Sequence, residues 1–234
     1  MKCNNNFALI TVSNPKFERS NTRRELVAGL SLAPAKLSGV NLCGNNTEAC
    51  TRICINFEGY GKFNKTQQAR LRRSHMFLED RERFRSYLLK DLESLERWSR
   101  KYEVDVYFRP NTYSDLGWSK LMPEIFEIPL NYYDYSKNYR RVQSYLAGEL
   151  PKNYDLVLSR SERNGQQCEE YLAMGGNVAV VWRDPKEIPS SYLGYPVVDG
   201  VSSDLWWRKQ RSVVGGLKAI GSRARADRSG FVLG

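Results

Sequence analysis

The sequence predicts an α/β protein, a full or partial (β/α) barrel with parallel strands in a single domain. Two observations lead there. Short, nearly continuous apolar runs such as Val104–Phe108 and Val178–Trp182 alternate with stretches of helical spacing, as in parallel sheets covered by helices. Hydrophobic residues make up 41% of the 234, enough for a substantial core.

Taken in order, residues 1–24 read as an N-terminal extension and 25–234 as the barrel-like domain. The first clear strand covers Glu25 to Leu32 and ends at Ala33-Pro34. A Gly- and Asn-rich loop over 41–64 carries three cysteines. Asn64 has the character of an N-cap, with Gln67 in the capping-box position. Phe84, Leu88, Leu92, Leu95 and Trp98 then recur at helical spacing, giving one long helix or two joined near Glu79-Asp80. Strands at Val104–Phe108, Tyr132–Tyr135, Leu156–Leu158, Val178–Trp182, Tyr195–Val198 and Val213–Leu217 follow. Helices are expected around Ser119–Phe126, Asn138–Leu146 and Gln166–Met174. Gly221 to Asp227 reads as a loop or tail. So many units exceed a minimal doubly wound half, no Gly-x-Gly-x-x-Gly follows a strand, and an open sheet is the second choice.

The net charge is +10 and the pI about 9.4, which favours polyanions such as nucleic acid or nucleotide-like ligands. The longest apolar runs fall far short of a membrane span, and no apolar signal core follows Met1, so the expectation is a cytosolic protein away from membranes. Five cysteines are too few for a disulfide scaffold.

In a barrel the functional face lies at the C-terminal ends of the strands. Polar residues collect there: Arg109, Asn111 and Asp115, then Asp134 and Lys137, then Arg160, Glu162 and Asn164, then Arg183, Asp199 and Lys218. Each alone is ordinary strand-end polarity. Their recurrence suits a polar, anionic ligand.

Cys43, Cys50 and Cys54 sit in the loop after the first strand. Three thiolates within a dozen residues can wrap one metal centre, and soft thiolates select zinc or iron–sulfur clusters. A structural zinc site wants four ligands, the nearest further candidates being His75 and Cys168. The alternative is three small apolar residues with no metal. Cys3 and Cys168 read as structural or incidental. The set resembles the loop of radical enzymes that use S-adenosylmethionine, where three cysteines hold a 4Fe-4S cluster. The spacing here is longer than their Cys-x3-Cys-x2-Cys.

The chain also resembles the bacteriophage gene product 88 family. The segments that carry the likeness include Ala28–Pro34, the cysteine loop to Phe63, Tyr133–Lys137, Leu158–Glu162, Asn177–Val181, Val198–Gly200, Val214–Ala219 and Asp227–Val232. Relatives carry a glycine where this chain has Thr112. The resemblance implies a phage origin, a barrel-like fold and a place in the host cytoplasm.

Three function classes follow. The first is an iron–sulfur enzyme acting on a nucleotide or nucleic acid. The second is a non-catalytic module gripping nucleic acid or a host factor, with a structural cysteine or zinc site. Its charge would lie in Arg70, Arg72, Arg73, Arg81, Arg83, Arg85 and the arginine-rich C-terminal region, with Tyr60, Trp206 and Trp207 as stacking surfaces. The third is a virion scaffold, which little in the sequence favours. With one histidine, a His-based triad is nearly excluded, and no phosphate loop is present.

Overall fold

The computed structural model describes residues 7–234, apart from the side chains of Lys16 and Tyr60. The fold is mixed α/β, with a ten-stranded and mostly parallel sheet. In chain order the first elements are β1 (Ile10–Thr11), α1 (Pro15–Ser20), β2 (Glu25–Leu30), α2 (Glu48–Arg52), α3 (Asn64–Glu79), α4 (Arg81–Tyr102) and β3 (Asp105–Arg109). Next come α5 (Trp118–Leu121), β4 (Asn131–Ser136), α6 (Tyr139–Leu146), β5 (Tyr154–Ser159), α7 (Gly165–Ala173) and β6 (Val178–Trp182). The last are β7 (Ser191–Tyr192), β8 (Tyr195–Asp199), β9 (Val214–Lys218), α8 (Ser222–Arg225) and β10 (Val232–Leu233).

The residues group into two compact units. The first holds the chain through Cys43, Gln67–Asp134 and Leu150–Asp155; the second holds Gly44–Thr66, Tyr135–Glu149 and Leu156–Gly234.

In the first unit β1 lies antiparallel to β2, and β2, β3 and β4 follow in parallel. Helix α4 buries the apolar stripe that its spacing predicts: Phe84, Leu88, Leu92 and Leu95 are fully enclosed. Each such side chain contributes roughly 1.5–3 kcal/mol of transfer free energy. The helical run divides at Asp80, whose carboxylate accepts the Arg83 amide as an N-cap. On the same helix the buried Asp91 accepts the amides of Ala8, Leu9 and Ile10. This anchors β1, which lies inside the stretch expected to be an extension. A two-residue strand and a six-residue helix are too short to leave a periodic signal. The helix expected over Ser119–Phe126 stops at Leu121, and a 3-10 turn over Pro123–Glu127 replaces its second half. Pro123 has no amide proton to continue the helix.

In the second unit the order is β5-β6-β9-β8-β7. Strands β5, β6, β9 and β8 run parallel, and β7 closes an antiparallel hairpin with β8. Strand β5 pairs with the first two residues of β6, and β10 with its last two. The chain near its C-terminal end therefore runs on beyond the point where β5 stops. Gly221–Asp227 is not a tail. Helix α8 lies within it, and Ala219, Ala224, Phe231 and Val232 bury themselves with Ala49 and Ile53 of the α2 region in one apolar cluster.

Among the described residues, no helix is long and apolar enough to cross a membrane.

Candidate functional site: an arginine-lined cleft

Four of the predicted strand-end residues come together in the second unit. Lys137 Nζ donates to Ser159 Oγ at 3.2 Å and lies 5.4 Å from the centre of the Phe231 ring. Arg160 donates through Nε to the Tyr192 hydroxyl and through Nη1 to the carbonyls of Gly230 and Phe231, at 3.0, 2.7 and 3.2 Å. Glu162 accepts from Thr47 Oγ1 at 2.9 Å. Asn164 accepts the Ser161 amide at 2.6 Å and donates to the Ser159 carbonyl. These groups are engaged with the protein itself. Arg160, with Lys137 beside the Phe231 ring, ties the Gly230–Phe231 stretch to the end of β5.

That segment, with α2 and α8, borders an open cleft of about 560 Å³ lined by Arg52, Arg223, Ala226, Asp227, Arg228 and Ser229. Arg52 ends α2, where Thr47 caps the helix by accepting the Cys50 amide. Its Nη2 donates to Asp227 Oδ1 at 2.7 Å. Asp227 also accepts from Ser229 Oγ and from the Val232 amide. Burial by itself would raise the Asp227 carboxyl, but the bonds from Arg52, Ser229 and Val232 outweigh it and hold the group below its ordinary value. Arg223 donates to Glu58 and to the Phe57 carbonyl, both at 3.1 Å. Gly221 makes room for this pair. It sits at φ 88°, and a Cβ there would lie 2.2 Å from the Glu58 side chain. Arg228 donates to the carbonyl of Asp227 at 3.1 Å. Arg183 clasps the same stretch through the carbonyls of Arg225 and Asp227.

Each lining guanidinium is thus held at one end by a fixed acceptor. A guanidinium carries five N–H donors, so each has donors left over for a ligand. Fixed cations on an open cleft are suited to binding an anion.

The other predicted residues lie elsewhere. Asn111 and Asp134 are each 1% exposed and form a closed network in the first unit. Asp134 accepts the Asn111 amide, Asn111 Nδ2 and the Tyr154 hydroxyl at 2.7–2.8 Å. Asn111 Oδ1 accepts from Ser114 Oγ, the Leu116 amide and Trp118 Nε1. Arg109 ends β3, and Asp115 is half-buried with its amide bound to the Leu42 carbonyl. In the second unit Asp199 accepts the amides of Val201 and Ser202, and Lys218 is an exposed residue at the end of β9.

The cysteines divide between the units: Cys43 closes a segment of the first, and Cys50 and Cys54 belong to the second. All three are of intermediate burial. Cys43 Sγ donates to the Tyr113 carbonyl at 3.1 Å and accepts the Ala35 amide at 3.2 Å, and Cys50 packs against the apolar cluster. Among the described residues no three His, Cys, Asp or Glu side chains are placed to hold a metal ion. The described geometry offers no ready ligand set. His75 pairs with Glu79 on α3 at 2.9 Å. Cys168 is fully buried, and burial pushes its thiol up to about 12. Cys3 lies outside the described residues.

The arginine-rich helices spend much of their charge internally. Arg70 is buried and stacks on Tyr113, Arg81 stacks on Phe77, each 3.8 Å from the ring centre, and Arg85 pairs with Glu124. Burial, with Arg70 and Arg72 beside it, lowers the Arg73 guanidinium. Trp206 and Trp207 are 8% and 7% exposed, which removes them as open stacking surfaces, and the Tyr60 side chain lies outside the described residues.

Sequence reasoning covered Arg223 only within an arginine-rich C-terminal region read as a loop or tail, and singled out neither Arg52, Asp227 nor Arg228 as a site residue. The available signal was the Asp227–Val232 stretch, one of the segments that carry the family resemblance.

No curated protein and no solved structure matches this chain. None of the comparisons supports the likeness to S-adenosylmethionine radical enzymes. The model of one family, described as gene product 88, matches residues 5–233, nearly the whole length. The chain belongs to the gene product 88 family of phage proteins.

Proposed function

We propose that this protein binds nucleic acid through the cleft between Arg52 and the Arg223–Ser229 segment. The observation that carries the reading is the anchoring of three guanidiniums around one open volume, in a chain of net charge +10. Phosphate contacts of this kind supply most sequence-independent affinity. The reading makes the protein a binding module, with α2 and α8 as the frame of its site.

The test is fluorescence anisotropy with a labelled single-stranded oligonucleotide at several salt concentrations. Binding at low salt that weakens steadily as salt rises is the expected result. Arg228→Gln, whose only fixed acceptor is a neighbouring carbonyl, should lower affinity about ten-fold while leaving the fold intact. Absence of binding by the folded protein at low ionic strength would reject the reading.

A second reading keeps Cys43, Cys50 and Cys54 as ligands of a 4Fe-4S cluster or zinc, in an enzyme acting on a nucleotide with S-adenosylmethionine. It rests on the three cysteines lying within a dozen residues of sequence, each at intermediate burial. Anaerobic reconstitution followed by iron, sulfide and zinc analysis decides it, and a colourless protein without stoichiometric metal would end it.

A further inference from the structure

We infer that the cleft receives an unpaired nucleobase of a single strand, stacked on guanidinium planes, in preference to the backbone of a duplex. The inference rests on the nucleic-acid reading and narrows it to one form of nucleic acid.

Charge pairing sets the chemistry. Arg52 is paired with Asp227 and Arg223 with Glu58, so two of the three lining guanidiniums are already neutralised. Arg228, which donates to a neutral carbonyl, is the lining cation left to balance a ligand, enough for one phosphate of a strand. A cleft so balanced has little hold on a densely charged ligand.

The surface agrees with this. What the cleft exposes is almost wholly carbon. Ala226 and the methylene stems of the arginines supply such a surface. It suits the face of a base better than a hydrated phosphate. The volume of about 560 Å³ lies within the range that takes one small ligand, and the open mouth admits a ring still attached to its strand.

The guanidiniums are held for stacking. In both pairs the arginine is the exposed member: Arg52 and Arg223 are 50% and 47% exposed, while Asp227 and Glu58 are 0% and 15%. Arg223 also donates to the Phe57 carbonyl, and its guanidinium carbon lies 5.3 Å from the centre of the Phe57 ring. Bonds along its edge and a ring at one side leave the group a face for a ligand in the cleft it lines. Guanidinium planes are weakly hydrated and stack on aromatic faces, and unpaired bases are recognised on them. In a duplex each base is covered by its neighbours, so only an unpaired base can enter.

The experiment compares three labelled probes by anisotropy at one moderate salt concentration. They are a single strand, the same strand in duplex with its complement, and a strand of equal length whose central residues are abasic. The abasic strand keeps every phosphate and loses only bases. The intact single strand should bind about ten-fold more tightly than either of the others. Arg223→Lys keeps the charge that pairs with Glu58 but not the plane. It should lower single-strand affinity about ten-fold without changing how steeply affinity falls with salt. Arg228→Gln should reduce that slope by about one. Equal binding of the intact strand and the abasic strand, or of the intact strand and the duplex, would overturn the inference and leave the nucleic-acid reading standing. So would a folded Arg223→Lys protein that binds as the wild type does. A nucleoside monophosphate that competes at matched affinity would overturn the assignment to a strand in favour of free nucleotides. Failure of every probe to bind the folded protein at low salt would remove both readings.

Discussion

Arg52 Nη2 donates to Asp227 Oδ1 at 2.7 Å across 175 residues of sequence, joining the end of α2 to the segment that leads into β10. The two side chains stand in different environments, Arg52 half exposed and Asp227 fully shielded. The pair is therefore worth more than a surface bridge, and its Arg52 end still faces solvent. It fixes one wall of the cleft.

Asp227→Asn tests that role. The substitution keeps the shape but removes the charge and one of the two acceptor oxygens, so the bonds from Arg52, Ser229 and the Val232 amide cannot all be kept. A loss of about 1–3 kcal/mol is expected from urea unfolding. Unchanged stability would show that the pair does not hold the segment in place.

The same carboxylate gives a pH dependence of definite sign. Its folded-state value lies below the ordinary one, so its contribution to stability is complete above the ordinary carboxylate pKa of about 4. That contribution is lost as pH falls through the depressed folded value. Urea midpoints of the wild type and Asp227→Asn should differ at neutral pH and converge at strongly acidic pH. A gap that stays constant down to acid would contradict the assignment.

Asn111, just beyond β3, accepts from three donors and donates to Asp134 and the Leu116 carbonyl. Asn111→Ala leaves Asp134 and Trp118 Nε1 without that partner in a buried setting. A loss of about 3 kcal/mol or more is expected, with the Trp118 near-ultraviolet signal broadened. Thermal melts followed by circular dichroism measure both.

The internal use of the helix arginines predicts a contrast in binding. Arg81 covers the Phe77 ring and Arg85 pairs with Glu124, so the double variant Arg81→Gln/Arg85→Gln should change oligonucleotide affinity by less than about two-fold. Arg228→Gln lowers it far more. An equal loss in both variants would move the binding surface to α4.

Thiol chemistry separates the cysteines. Burial holds the Cys168 thiol well above its ordinary value, at about 12, so it should resist iodoacetamide in the folded protein at mildly alkaline pH. Cys50 and Cys54, of intermediate burial, should be labelled first, as read by peptide mass mapping. Equal labelling of Cys168 would show that the α7 packing opens readily.

The sequence by itself determined the elements with strong local signals. The stripe from Phe84 to Trp98 became the buried face of α4, and the apolar run Val178–Trp182 became β6, because periodicity and apolar continuity belong to neighbouring residues. It also placed Lys137, Arg160, Glu162 and Asn164 at strand ends. It did not show that these residues bond to Ser159, Gly230, Thr47 and Ser161, and so organise the protein before any ligand arrives. The tertiary structure alone decided that Asn111, Asp134 and Tyr154 close a buried network. It also turned the stretch after Gly221 from a tail into a helix packed on α2, with β10 beside β6. The cleft depends on that second decision. Arg52 meets the Arg223–Ser229 segment only once the chain has folded α2 and α8 onto one apolar cluster. Local composition carries no record of a contact made across so long a separation.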